Sequence, residues 1–296
     1  MRLLLAPMEG VADFVLRDVL TAIGGYDLAV SEFVRVSGTL LPRRMFERIC
    51  PEILAGSRTA AGTPVAVQLL GSDPVLLAEN AARLAALSPH GIDLNFGCPA
   101  KVVNRHGGGA MLLDRPRLLH DIAAAVRAAV PAAIAVSAKM RLGIADPSRA
   151  LDCAQALAEG GAQAIVVHAR TREQGYRAPA HWEWVARIGD AVRVPVTANG
   201  EVWSVHDWAR CRAVSAAADV MIGRGAVSDP WLARRIRGER DAVPDERDWL
   251  QLHPHILRYW EGVQGRAAPV HACGRLKLWL GMLRRNYPAA GRLHEA

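Results

Sequence analysis

The 296-residue sequence predicts an α/β protein: a (β/α)8 TIM barrel followed by a small C-terminal helical domain. Three observations carry that expectation. Short apolar runs without polar alternation recur between helix-like stretches, the pattern of parallel strands buried on both faces. Eight such units fill about 240 residues, the usual span of one closed barrel. Nearly every apolar run also ends abruptly in a polar or charged residue, as expected where strands open onto a shared rim. A doubly wound sheet is disfavoured, since no Gly-x-Gly-x-x-Gly follows the first strand.

Taken in order, strands are expected at residues 3–7, 28–33, 64–69, 91–95, 134–139, 164–168, 194–198 and 219–222. Helices are expected between them, among others at 74–87, 116–129, 148–159, 204–214 and 229–236. Asp73 before Pro74 and Asp229 before Pro230 supply an N-cap followed by a first-turn proline. The barrel is assigned residues 1–238, and the polar, charge-mixed run 239–248 reads as a linker. In the helical domain, 249–296, Trp249, Leu250, Ile256, Leu257, Tyr259 and Trp260 recur at helical spacing, then Leu276, Trp279, Leu280 and Leu283. Its aromatic residues read as core, whereas Lys277, Arg284 and Arg285 fall off the apolar stripe and are free to touch a partner.

The formal charge is +7 and unevenly placed. From Trp231 onward 12 basic residues stand against 7 acidic ones, and the last 26 residues hold five basic groups against Glu295 alone. A basic end of this kind points to a polyanion such as nucleic acid, with a solvated Arg-rich surface as the alternative. There are 33 arginines but only three lysines, at 101, 139 and 277. In such a chain a lysine marks a position where a compact point charge suits better than a planar fork. Five scattered cysteines (50, 98, 153, 211, 273) show no Cys-x-x-Cys or Cys/His ligand spacing, which argues for a reducing compartment without disulfides or zinc. No leader is expected ahead of the first strand, and Arg127 and Pro131 interrupt the Ala-rich stretch. The expectation is a soluble, cytoplasmic monomer that uses neither membrane nor metal.

The strand ends carry Met8 and Glu9, Glu32, Gln68, and residues 95–98, 139–141, 168–170, 199–201 and 223–225. Any one of these reads as a cap or a solvated loop, but together they line a barrel mouth, where such folds place their chemistry. Cys98 stands between Gly97, which breaks the fourth strand, and Pro99, so its thiol has little to pack against. The glycines of the seventh and eighth strand ends let backbone N–H groups approach an anion, and barrel phosphate sites are built from these loops. A phosphate there, Gln68 and Lys139 across the mouth, and a thiol between them suit a phosphorylated planar cofactor. Flavin mononucleotide (FMN) is the first candidate, and the spacing leaves a phosphosugar open.

At this point the motifs resemble a known family. Ala6-Pro-Met-Glu-Gly, Val67-Gln-Leu, Leu94-Asn-Phe-Gly-Cys-Pro-Ala-Lys, Ala138-Lys-Met-Arg-Leu-Gly, Val167-His-Ala-Arg-Thr-Arg-Glu-Gln-Gly-Tyr, Ala198-Asn-Gly-Glu and Ile222-Gly-Arg-Gly resemble the bacterial tRNA-dihydrouridine synthases. The likeness runs in order from residue 3 to about 285. Glu32-Phe-Val-Arg-Val and Gly274-Arg-Leu-Lys-Leu-Trp-Leu look most like the C-type subgroup, which acts at tRNA position 16.

The resemblance implies FMN in the barrel mouth, NADPH as reductant, and reduction of the C5=C6 bond of a uridine in tRNA. It implies hydride transfer from the flavin to C6 and a proton from Cys98 to C5. A thiol of ordinary pKa (~8.5) is mostly protonated at neutral pH, which agrees. Pro7, Met8 and Glu9 would cover the ring, Gln68 would hydrogen-bond it, and Lys139 would lie beside its N1/C2 oxygen edge. Asn199, Gly200, Glu201, Gly223 and Arg224 would hold the phosphate. His168, on the cofactor side, and Arg170, on the substrate side, would stand between the ring and the opening. Asn95 and Tyr176 would grip the base, and Arg35, Arg275 and Lys277 would contact tRNA. Extruding a uridine costs a few kcal/mol, which phosphate contacts from the helical domain would offset in a salt-dependent way.

Two features depart from the family pattern. Asn104-Arg105-His106 adds bulk after the thiol and is expected to touch RNA at the surface, and the chain ends at Ala296, so part of the last helix is expected to be missing. The rival readings are an FMN-dependent barrel oxidoreductase acting on a small molecule, and a non-catalytic RNA-binding barrel.

Overall fold

The computed structural model describes residues 1–100, 107–265 and 269–295, in which eight parallel strands close into one barrel in chain order. Lys101 and the stretch Asn104-Arg105-His106 lie outside the described residues. β1 (Leu3–Leu5) pairs with β2 (Leu28–Arg35) on one side and with β8 (Asp219–Ile222) on the other. Between them run β3 (Val65–Leu70), β4 (Ile92–Phe96), β5 (Val136–Arg141), β6 (Ala164–His168) and β7 (Val196–Asn199). The absence of alternation in these runs has a direct cause. Outward side chains such as Leu3, Val67, Leu94 and Val167 join the core under the helices, while Leu4, Ala6, Val30, Ala66, Val166 and Met221 plug the interior.

The helices on the outside are α1 (Phe14–Ile23), α2 (Arg43–Ile49), α3 (Pro74–Ala85), α4 (Pro116–Ala129), α5 (Ala150–Glu159), α6 (Trp182–Ala191) and α7 (Val205–Ser215). The Asp73 carboxylate accepts the Leu76 N–H (2.9 Å) and starts α3 as expected. One expected helix is shortened. Of 229–236 only α9 (Leu232–Ile236) forms, and a separate short helix, α8 (Arg224–Ser228), precedes it. Asp229 is extended and its carboxylate caps the Trp231 N–H (3.1 Å), so the second helix begins only past Pro230.

Beyond α9 come α10 (Glu246–Gln264), α11 (Pro269–Leu283) and α12 (Pro288–Glu295). α10 starts inside the expected linker because Asp245 and Asp248 cap one another: Asp248 N–H to Asp245 Oδ1 (2.9 Å), Asp245 N–H to Asp248 Oδ2 (3.0 Å). Tyr259 and Trp279 meet edge to face at 4.9 Å, both buried, so these aromatics are core. The same helices fasten α8 to themselves. Trp279 Nε1 donates to the Val227 carbonyl (3.2 Å), Asn286 Nδ2 to that of Ser228 (3.0 Å), and Tyr287 Oη to Asp229 Oδ1 (2.8 Å). The loop leaving β8 is thereby anchored from outside the barrel. Among the described residues no helix is long and apolar enough to cross a membrane, and no His/Cys/Asp/Glu cluster is arranged to hold a metal ion.

Candidate active site

A cavity of about 430 Å3 opens at the C-terminal ends of the strands. Its floor is a relay of side chains set by strand register, with Gln68 opposite Asp93 and Asp93 opposite Ser137. Ser137 Oγ donates to Asp93 Oδ1 (2.5 Å), Gln68 Nε2 to Asp93 Oδ2 (2.6 Å), and Asn95 Nδ2 to Gln68 Oε1 (2.6 Å). Asn95 Oδ1 then accepts the N–H groups of Gly97 (3.0 Å) and Cys98 (2.9 Å), fixing the turn that presents the thiol. With both oxygen lone pairs engaged, Asn95 keeps one N–H for the cavity. Gln68 keeps one N–H and one lone pair. The Cys98 side chain is 8% exposed and packs on Leu70, with Phe33 and Ala100 beside it. Burial pushes its thiol up from the ordinary value, and the nearby Arg141 and Arg35 only partly oppose this.

Around the thiol the charge is mostly positive. Burial, with Arg141 nearby, brings Lys139 down to about 8, although Asp93 pulls the other way. His168 is held well below its ordinary range by burial and by Arg141, Lys139, Arg170 and Arg224, so it is neutral at physiological pH. Arg170 is brought down to about 10 by burial and by Arg224 and Arg141. Its guanidinium ion-pairs with Glu201, and its Nε donates to the Arg177 carbonyl (2.6 Å). An excess of desolvated cations in a concave site is an arrangement that an anion from outside would relieve.

Two glycine loops form the wall opposite Cys98. Gly200 has φ +114°, and a Cβ there would stand 2.8 Å from His168 Cδ2, so only glycine fits. A Cβ on Gly225 would fall 2.0 Å from the Val202 carbonyl oxygen, which shows how closely the loops after β7 and β8 are pressed together. Trp182 Nε1 holds the Gly200 carbonyl (2.9 Å), and Asn199 Nδ2 holds that of Met221 (2.8 Å). On the first strand's side, Glu32 at a bulge in β2 accepts the Gly10 N–H (2.6 Å) and steadies the loop carrying Met8 and Glu9.

The family model described as dihydrouridine synthase matches residues 4–264. The chain belongs to the dihydrouridine synthase family. It is 67% identical over 295 residues to the tRNA-dihydrouridine(16) synthase of Ralstonia nicotianae, covering 100% of this chain and 90% of that protein. It is 47% identical over 296 residues to the protein of the same name from Neisseria meningitidis serogroup B, covering 99% and 89%. Among solved structures, the old yellow enzyme homologue of Zymomonas mobilis overlays with a TM-score of 0.57 at 14% identity, covering 84% of this chain and 92% of that one. Morphinone reductase in complex with tetrahydroNAD overlays with 0.55 at 13% identity, covering 84% and 90%. At these identities the overlays speak for the barrel fold alone. As a dihydrouridine synthase, the chain is a flavin-dependent oxidoreductase.

In this synthase every cofactor residue expected from the sequence lines the one cavity, together with Asn95, Cys98, Arg170 and Tyr176. Arg35, Arg275 and Lys277 do not line it. Arg35 ends β2, and its charge is felt at Glu9 and Cys98. Arg275 is ion-paired with Asp13 (2.7 Å) and hydrogen-bonded to Tyr259, while Lys277 is exposed on α11. Sequence reasoning gives no role to Asp93, Arg141 or Trp203. An acid within a strand run buried on both faces is the available signal for Asp93. Arg141 lies two residues past Lys139 and therefore on the same strand face. Trp203 carries Arg285 of the helical domain (4.1 Å) and Arg224 of the mouth (4.9 Å) against its ring, a pairing that sequence does not contain.

Proposed function

We propose that this chain reduces the uridine at position 16 of tRNA to 5,6-dihydrouridine, with electrons passing from NADPH through FMN. One observation carries the reading: a buried thiol, kept protonated, stands across a cationic cavity from two glycine loops, in a chain closely similar to proteins named for that position.

The residues fit the cofactor. The loops at Gly200 and Gly223 leave room for backbone N–H groups to meet a phosphate, with Arg224 adding charge. Lys139 on the cavity floor suits the N1/C2 oxygen edge of a reduced ring, and Gln68 has one donor and one acceptor left for it. A bound flavin supplies the hydride for C6 of the base.

The protein's own part is to hold a proton and a base in place. Burial keeps the proton on the Cys98 Sγ until C5 takes it, and His168, held neutral, offers no imidazolium proton in its place. The remaining Asn95 N–H points to base recognition. Tyr176, 54% exposed at the opening, carries the guanidinium groups of Arg141 (5.2 Å) and Arg224 (4.6 Å) against its ring. We assign tRNA contact to the helices beyond the barrel, where Lys277, Arg284 and Arg285 are exposed.

Cys98→Ala tests the reading. The variant is expected to keep its flavin and to lose about 10²–10⁴-fold in dihydrouridine formation on unmodified tRNA. Full turnover by the alanine variant would sink the acid role. Mass-spectrometric mapping of tRNA from a deletion strain complemented with this chain tests the position, and dihydrouridine anywhere but position 16 would overturn that assignment.

A further inference from the structure

We propose that Arg141 is a positioning residue that ties the turn carrying Cys98 to the loop carrying Tyr176, so that thiol and base are held in one register. The inference rests on the function proposed above. Arg141 ends β5 and is 2% exposed. Its Nε donates to the carbonyl of Gly97 (2.8 Å), the residue immediately before Cys98. Its Nη1 donates to the carbonyls of Thr171 (3.1 Å) and Gly175 (2.9 Å), the latter immediately before Tyr176. The guanidinium also lies over the Tyr176 ring at 5.2 Å. A single rigid plane thus fixes the peptide group preceding each of the two residues that would face the substrate.

The energetics favour a geometric role over a structural ion pair. Among the described residues no carboxylate forms an ion pair with Arg141, and burial makes its charge harder to keep. A buried cation satisfied by backbone carbonyls and the Tyr176 side chain, with no carboxylate, is a costly way to hold a fold, but its fixed fork reaches three carbonyls from two loops at set angles. Lysine carries the charge without the fork. Asn95 grips the same turn through the N–H groups of Gly97 and Cys98, so the Gly97 residue is held at both its N–H and its C=O. If Arg141 let go, the thiol would keep one anchor and lose its link to the base-gripping loop.

The test uses the holoenzyme with Arg141→Lys and Arg141→Gln. After anaerobic reduction by NADPH, each is mixed with excess unmodified tRNA and flavin reoxidation is followed through a single turnover. Both variants are expected to slow this step about tenfold to 10²-fold, as a displacement near 1 Å would, with tRNA affinity hardly moved. A second readout needs no substrate: iodoacetamide labelling of Cys98, followed by peptide mapping with exposed Cys273 as internal standard. Cys98 should label faster in both variants and Cys273 at the wild-type rate. A wild-type single-turnover rate with unchanged Cys98 labelling overturns the tether, as does rescue by lysine. Loss of folding or of flavin in both variants would make Arg141 a fold determinant and overturn it equally. Faster Cys98 labelling in variants of a wild-type protein that never reoxidises on tRNA would sink the proposed function and leave the tether standing.

Discussion

The seam between the barrel and the C-terminal helices and the barrel mouth both bury arginine, but they resolve the charge in opposite ways. In the seam, Arg235 is paired with Asp229 (2.8 Å) and Asp248, Tyr287 also donates to Asp229, and Arg240 joins Asp248. These partners raise the Arg235 pKa above its ordinary value despite burial. In the mouth, Lys139, Arg141, Arg170 and Arg224 crowd around neutral His168, and Glu201 and Asp93 are the acids within reach of them. There every cation is shifted down, Lys139 to about 8 and Arg170 to about 10. Burial penalises a charge in both places. The seam compensates within the chain, which is the mark of structure, whereas the mouth leaves compensation to an anionic ligand, which is the mark of a site.

Removing one charge from each region should break this comparison open. The largest effect is expected from Arg235→Ala, which leaves Asp229 and Asp248 buried without their shared cation. Urea unfolding of the flavin-free protein should show a loss of about 3–5 kcal/mol. An unchanged midpoint would mean that the seam is no better paired than the mouth.

Lys139→Met should do the reverse. The flavin-free protein should be at least as stable as the wild type, while flavin should bind about 10- to 100-fold more weakly, the worth of a hydrogen bond to a charged group. The pH dependence has a definite sign. Lys139 loses its proton near pH 8 in the folded protein and near 10.4 in the unfolded chain, so in that window the unfolded state binds more protons. The wild type should therefore gain stability relative to Lys139→Met as pH rises from about 8 to 10.4. Parallel pH profiles would remove the buried, charge-crowded lysine from the explanation.

How much of this is legible in the sequence follows from which interactions are local. The eight strands, the thiol held between Gly97 and Pro99, and the glycines at 200 and 223 are written in short runs, and the structure brings them to one rim. Asp93 and Gln68 are harder, because their relay exists only through strand register. The break at Asp229 depends on Tyr287 and Arg235, side chains that a local helix pattern does not include. Arg141 can be placed at a strand end but not given its acceptors, since the carbonyls it meets lie on two loops whose paths no periodicity predicts.

The exposed cations of the helical domain form a third case, and the expected effect there is smallest. Lys277, Arg284 and Arg285 carry no burial penalty, so their contribution should appear only when a polyanion is present. Replacing all three by glutamine should weaken tRNA binding and flatten the dependence of log Kd on log salt by about 0.7–0.9 for each phosphate no longer neutralised. Folding and tRNA-independent NADPH oxidation should not change. Arg285 is the most informative of the three, because its guanidinium also rests on Trp203, whose ring carries Arg224 of the mouth as well. If Arg285→Gln alone altered flavin affinity, the stack would link the helical domain to the cofactor loop. If all three replacements left the salt slope where it was, the tail would be ordinary surface, and the tRNA would have to be held by the mouth.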